Sequence, residues 1–241
     1  MIQLYNAILF QPLLNLLVFL YDHIGDIGIS IIIITILIRI ILLYPSFKAL
    51  KSQKALQELQ PKIKKLQEQH KDNKEEQTKA LMDFYKENKV NPFSSCLPML
   101  IQLPIIFALY RVFRTGLSEI DTSLLYSFIE SPGNINTMFL GIVNMAETNI
   151  FLAILAGVLQ FVQSKMMLSK NKNNKPVKGA GPLGDMQGML GKQMTYLMPA
   201  MTVFIAMSLP SGLALYWITT TLFAIAQQYV IMRPRVEKKD E

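Results

Sequence analysis

Between residues 27 and 44 the chain reads IGISIIIITILIRIILLY, an apolar run broken by one charge, Arg39. Long apolar stretches recur near 97–113, 150–168, 194–209 and 213–232. Each approaches the ~20 residues that a helix needs to cross a hydrocarbon layer ~30 Å thick. One soluble core could not absorb five such segments. The pattern predicts an all-α integral membrane protein with five transmembrane helices, at 27–44, 93–113, 150–168, 193–209 and 212–232.

The intervening segments carry weaker periodicities. In residues 1–24, Gln3, Asn6, Gln11, Asn15 and Asp22 fall mostly on one half of a helical wheel, opposite Leu, Ile, Phe and Val. That suits an N-terminal amphipathic helix lying in the membrane interface, although a sixth span fits the same residues. In 47–90, Leu56, Leu59, Ile63 and Leu66 share one helical stripe. After the polar break HKDNKE, Ala80, Leu81, Phe84 and Tyr85 mark a second helix. Two short amphipathic helices about a polar turn predict an antiparallel helical hairpin; a solvated charged loop is the plainer alternative. Residues 169–192 are rich in Lys, Asn, Gly and Pro and read as a flexible loop.

Composition agrees with the membrane class. Of 241 residues, 51% are hydrophobic and 17% charged, against about 25% charged in an ordinary soluble domain. The mean hydropathy is +0.30. The net charge of +7 suggests nucleic acid at first, but its placement points elsewhere. Of 24 Lys and Arg, 21 lie in 47–92, 165–193 and 233–241; the others are Arg39, Arg111 and Arg114. The positive-inside bias puts those three segments in the cytoplasm, and the five spans then alternate in direction without conflict. The expected location is a bacterial plasma membrane, multi-pass, with the C-terminal tail 233–241 cytoplasmic and the N-terminus outside. The opening MIQLYNAILF has neither the basic start nor the cleavage site of a secretory signal. The single cysteine, Cys96, excludes an intramolecular disulfide.

Enzyme readings find little support. His23 and His70 fall on opposite sides of the membrane in this topology, so no shared metal site is expected. Residues 179–184, GAGPLG, match a nucleotide-binding glycine pattern in form, but they sit in a polar loop rather than between a strand and a helix. A phosphate-binding loop ending at Lys192 would need Gly at 186 and Ser or Thr at 193, where Met186 and Gln193 stand. No cofactor, metal or DNA partner is expected, and no catalytic residue is assigned.

The informative residues are polar and lie inside the spans. A mid-membrane arginine costs about 2.5–3.5 kcal/mol to insert and usually faces a protein interior or a water-filled cavity. Arg39 lies five residues before Tyr44, ~8 Å along a helix, so snorkelling to the interface is the alternative. Thr35, one turn earlier, extends the polar stripe. Gln160 and Gln163 share a face of the third span, Gln102 sits between Pro98 and Pro104, and Thr219–Thr221 lie in the fifth. Singly, each reads as an interhelical hydrogen bond worth ~0.6 kcal/mol. Together with Arg39 they suggest a polar cavity between helices.

Three stretches also carry a resemblance. ISIIIITILIRIILLYP with the charged helical pair after it, NPFSSCLPMLIQLPIIFALYRVF, and YLMPAMTVFIAMSLPSGLALYWITTTLFAIAQQYVI follow in order over nearly the whole chain. They resemble the YidC-type membrane protein insertases, bacterial relatives of the mitochondrial Oxa and chloroplast Albino proteins. The resemblance implies five helices around a hydrophilic groove, closed to the outside and open to the cytoplasm and laterally to lipid. It makes Arg39 the groove arginine, Gln163 a groove residue of the third span and Trp217 an aromatic lining from the fifth. Thr221 stands where the family often has Asn. The tail RPRVEKKDE is short, which puts tail-mediated ribosome docking in doubt, and the large extracytoplasmic domain of many members is absent. The implied function is to insert and help fold nascent membrane proteins, receiving polar segments in the groove and releasing apolar ones into lipid. Nascent chains and the bilayer are the implied partners, with the ribosome and the Sec translocon as further candidates. A small-molecule transporter or channel is the alternative, though no internal repeat supports it.

Overall fold

A computed structural model describes residues 2–91, 97–115, 122–167 and 193–232 of the chain. The expected loop 169–192, the tail 233–241 and residues 93–96 of the second span lie outside these residues.

The described chain is mostly helical. A turn of helix, α1 (Ile2–Tyr5), passes through a π-helical turn at Asn6–Phe10 into α2 (Gln11–Ile24). Gly25 ends α2 at φ +77°, where its amide donates to the Tyr21 carbonyl at 2.7 Å. Asp26, in extended conformation, then caps α3 (Ile27–Ile41) by accepting the Ile29 amide at 2.9 Å. An isoleucine run has β propensity, yet here it is helical. A lone strand would leave its backbone groups unpaired in lipid, whereas a helix satisfies them within the segment.

At Leu42 the chain bends by 65° into α4 (Leu43–Gln69). The expected span 27–44 thus maps onto α3 plus the opening of α4. Asn73 caps α5 (Lys74–Glu87), its side chain accepting the Glu75 and Glu76 amides at 3.2 Å. Leu56 and Ile63 of α4 pack on Leu81 and Tyr85 of α5, with Leu59, Leu66 and Phe84 around them. The helical hairpin is present, and α4 reaches back to the bundle.

Three more helices follow: α6 (Leu97–Thr115), α7 (Ile150–Met167) and, after a π-helical turn at Gln193–Leu197, the short α8 (Met198–Ala206). The last described helix is α9 (Ser211–Met232). Between α6 and α7 lies a small hairpin of β1 (Met138–Phe139) and β2 (Val143–Asn144), paired antiparallel. The main core joins Leu17 of α2, Ile31 and Ile34 of α3, Leu109 and Val112 of α6, and Leu213 of α9. A second contact joins α7, α8 and α9 through Ala153, Ala206 and Ala214. Gly157 of α7 lets α8 approach so closely that a Cβ there would overlap Val203. Small residues serve this purpose in membranes, where packing rather than water expulsion joins helices.

Length and hydropathy alone single out Gln3–Ile24 and Ile150–Met167 as long and apolar enough to cross a membrane, with the bent α3–α4 pair as a third. Of the expected five spans, α6 interrupts its apolar run with Gln102, Arg111 and Arg114, and α9 with Thr219–Thr221, Gln227 and Gln228.

The two ends of the bundle differ. At one, which we call the loop end, segment 122–149 closes over α2, α3 and α9. Ser211 donates from its amide and its hydroxyl to the Glu147 carbonyl at 2.7 and 2.5 Å, and the Gly212 amide donates to the Met145 carbonyl at 3.0 Å. The other is the hairpin end, where α4 crosses the ends of α7 and α9. There Lys54 donates to the Ile231 carbonyl at 3.1 Å, and the Gln57 amide donates to the Met167 carbonyl.

Candidate functional site: the Arg39 cavity

Arg39 lies in the last turn of α3, just before the bend at Leu42. Its guanidinium donates to Gln102 Oε1 of α6 at 3.2 Å. The Gln102 amide in turn donates to the Tyr216 hydroxyl of α9. One chain of hydrogen bonds therefore links three helices through apolar surroundings. A cavity opens beside it, lined by Arg39, Leu42, Pro45, Ser46, Ala49, Ile101 and Gln102. Arg39 itself is half-buried rather than exposed. Its head is tied to a neighbouring helix, which an arginine that merely snorkels does not require.

The cavity is roofed by the first two turns of α4. Ser46 on that roof donates to Gln227 Oε1 of α9 at 3.1 Å. Tyr216 and Gln227 are eleven residues apart, three turns of helix, so both lie on one face of α9. Gln227 Nε2 and both amide atoms of Gln228 are buried without a hydrogen-bond partner among the described residues. Buried amides left unpaired call for water or a polar guest.

The residues singled out in the sequence divide into two groups. Arg39 and Gln102 come together as a bonded pair. Thr35 does not join them: it is fully buried, and its hydroxyl donates to the Ile31 carbonyl of its own helix at 2.6 Å. It therefore offers no polar surface to a hydrated stripe. Gln160 and Gln163 are half-buried on α7 and do not line the Arg39 cavity. Trp217 packs beside Ala153, Ala206 and Ala214 at the α7–α8–α9 contact and does not line the Arg39 cavity. Thr219 donates to the Leu215 carbonyl at 2.9 Å.

Three participants escaped the sequence reading: Tyr216, Ser46 and Gln227. Tyr216 sits in the Leu-Tyr-Trp stretch beside the tryptophan that drew attention. The eleven-residue interval between Tyr216 and Gln227 was the available signal. Ser46 had none, because it faces the cavity only through the bend at Leu42.

Residues 19–239 match the family model described as 60Kd inner membrane protein. The chain belongs to that family. A protein of Fusobacterium nucleatum named membrane protein insertase YidC is 37% identical over 211 residues, covering 88% of each chain. One of the same name from Clostridium perfringens is 35% identical over 217 residues, covering 88% of this chain and 83% of its own. The Pelobacter propionicus protein of that name is 34% identical over 228 residues, which is 93% of this chain but 38% of the relative. The relatives that match thus include proteins close to this chain in length and others much longer. None of these relatives bears the name of a transporter or channel, so that alternative gains no support.

Proposed function

We infer that the protein is a membrane protein insertase. The observation that carries this reading is a charged residue, Arg39, bonded across helices beside a cavity within an apolar bundle, in a chain related throughout to proteins of that name.

Helices α3, α6, α7, α8 and α9 are the five spans, with the hairpin end in the cytoplasm and the loop end outside. Support comes from the basic residues of α4 and α5 at the hairpin end. The amphipathic α2 lies along the outer interface. Asn15 and Tyr21, ~9 Å apart along the helix, both bond to segment 122–149, as a helix lying along that layer would.

A polar segment of a nascent chain finds little solvation in hydrocarbon. A hydrated groove that reaches partway into the bilayer shortens the dry path. Arg39 attracts acidic side chains of the incoming segment in surroundings where charges interact more strongly than in water. Gln102 and Tyr216 hold the guanidinium toward the cavity, and Gln227 and Gln228 supply amides for the polar guest. The apolar part of the substrate then moves sideways into lipid, and its burial drives insertion. No covalent step or cofactor is needed. Gln160, Gln163 and Trp217 belong to a second wall that the substrate meets as it leaves.

Replacement of Arg39 tests the reading. In a depletion strain, Arg39→Ala should abolish insertion of substrates with acidic translocated segments, and Arg39→Lys should largely retain it. Normal insertion by the alanine variant would sink the electrostatic role. Crosslinking from positions 102, 163 and 217 to ribosome-bound nascent chains tests the path, and the same samples reveal whether ribosome or Sec components lie near.

A further inference from the structure

The turn between β1 and β2 holds apolar side chains out of the protein. Leu140 is 60% exposed and Ile142 is 78% exposed. Leu140 has φ +50° and Gly141 φ +69°. The left-handed region suits glycine and asparagine and disfavours a bulky side chain. Leucine there is thus unfavourable twice over, in its backbone and in its contact with water.

The turn is nevertheless held firmly. Asp26 accepts the Leu140 amide at 2.7 Å through Oδ2 while capping α3 through Oδ1. The Ile142 amide closes the turn on the Phe139 carbonyl at 2.9 Å. Phe139 presses on Gly28 so closely that a Cβ there would overlap its ring. The tip is therefore pinned at the level of the first turn of α3. The chain continues from β2 through residues 145–149 into α7, whose first turn carries Phe151 at 79% exposure. Further along α7, Ile154, Leu155 and Val158 are exposed as well, an apolar face on a helix long and apolar enough to cross a membrane.

We propose that the 140–142 turn is a lipid anchor, inserted at the headgroup–acyl boundary of the leaflet at the loop end. Its occupant is phospholipid, because the exposed side chains are apolar, carry no hydrogen-bonding group, and stand a short stretch of chain from the exposed apolar face of α7, a helix long and apolar enough to cross a membrane. Inserted there, Leu140 exchanges water for acyl chain, which offsets its strained backbone. The anchor fixes the depth of Asp26, and through it the depth of α3 and Arg39. This inference needs only a membrane-embedded protein, so it stands or falls independently of the insertase reading.

Tryptophan fluorescence tests it. Ile142→Trp in the full chain, reconstituted in phosphatidylcholine vesicles, is titrated with iodide and, separately, with lipids brominated on the upper acyl chain. The unsubstituted protein gives the signal of Trp217 for subtraction, and Glu130→Trp is the exposed polar reference. Ile142→Trp should be quenched several-fold more by brominated lipid than Glu130→Trp, and less by iodide. Strong iodide quenching without bromine quenching would overturn the proposal. So would protection from both quenchers, which would mean that protein covers the turn. Should Ile142→Trp fail to fold, Leu140→Trp is read by the same criteria.

Discussion

Asn15 and Gln228 are both buried amides in apolar helices, 1% and 0% exposed, and their surroundings could hardly differ more. Asn15 donates to the Gln11 and Leu124 carbonyls at 2.7 and 2.9 Å and accepts the Tyr126 amide at 2.7 Å. Its amide nitrogen and its carbonyl oxygen are thus both hydrogen-bonded. Gln228 has no partner for either amide atom among the described residues. The first stands at the loop end, the second toward the hairpin end. Buried polar groups contribute to structure when paired and cost stability when not. The buried amide at the loop end is tied into the fold, whereas the one toward the hairpin end has no partner among the described residues and, under the proposed function, stays available for a guest.

Substitutions can break this contrast or sharpen it. The largest effect on stability is expected for Asn15→Leu, which strands the Tyr126 amide and leaves the Leu124 carbonyl to Gln11 alone. About 1–3 kcal/mol per stranded group should appear as a lowered midpoint of thermal unfolding in micelles. A midpoint unchanged from the parent would show that the loop end is not held by this amide. Asp26→Ala removes the cap of α3 and the tie to Leu140. A loss of about 1–2 kcal/mol is expected from the cap, together with faster proteolysis within 138–144.

Around Arg39 and along α9 the expected effect shifts from stability to insertion. Tyr216→Phe removes the hydroxyl that Gln102 meets, and a neutral hydrogen bond contributes about 1 kcal/mol. Insertion of acidic substrates should fall a few-fold in a reconstituted assay while the unfolding midpoint moves little. Gln228→Leu is the most discriminating and has the smallest effect on stability. It replaces unpaired amide atoms with apolar ones of similar size, so the midpoint should hold or rise while insertion falls. A clear drop in midpoint would mean that Gln228 is structurally paired, and the contrast with Asn15 would collapse.

The site was legible in the sequence in proportion to how unusual each residue was in its setting. A single arginine in an isoleucine run is conspicuous, and Gln102 between two prolines nearly so; the two are bonded. Thr35 was misleading because a threonine hydroxyl can donate to the carbonyl one turn back, which conceals it from any cavity. Gln163 entered both as a polar residue of a span and by resemblance, Trp217 by resemblance alone, and neither lines the Arg39 cavity. Tyr216 was overlooked because tyrosine in an apolar helix is ordinary, and its significance depends on the residue it meets.

The sequence by itself determined the membrane class, the helices, the helical hairpin and the misplaced charge. Each follows from short-range rules: helix periodicity, the hydrocarbon thickness, and the need to pair backbone groups without water. Only the tertiary structure decided which polar residues meet. The bend at Leu42 swings Ser46 over Arg39, and the packing of α3, α6 and α9 brings Gln102 and Tyr216 to the guanidinium. Those contacts join residues 63 to 181 positions apart, beyond the reach of any local pattern. The same packing left Asn15 paired at both amide atoms and Gln228 without a partner among the described residues, a difference that their shared chemistry as buried amides does not reveal.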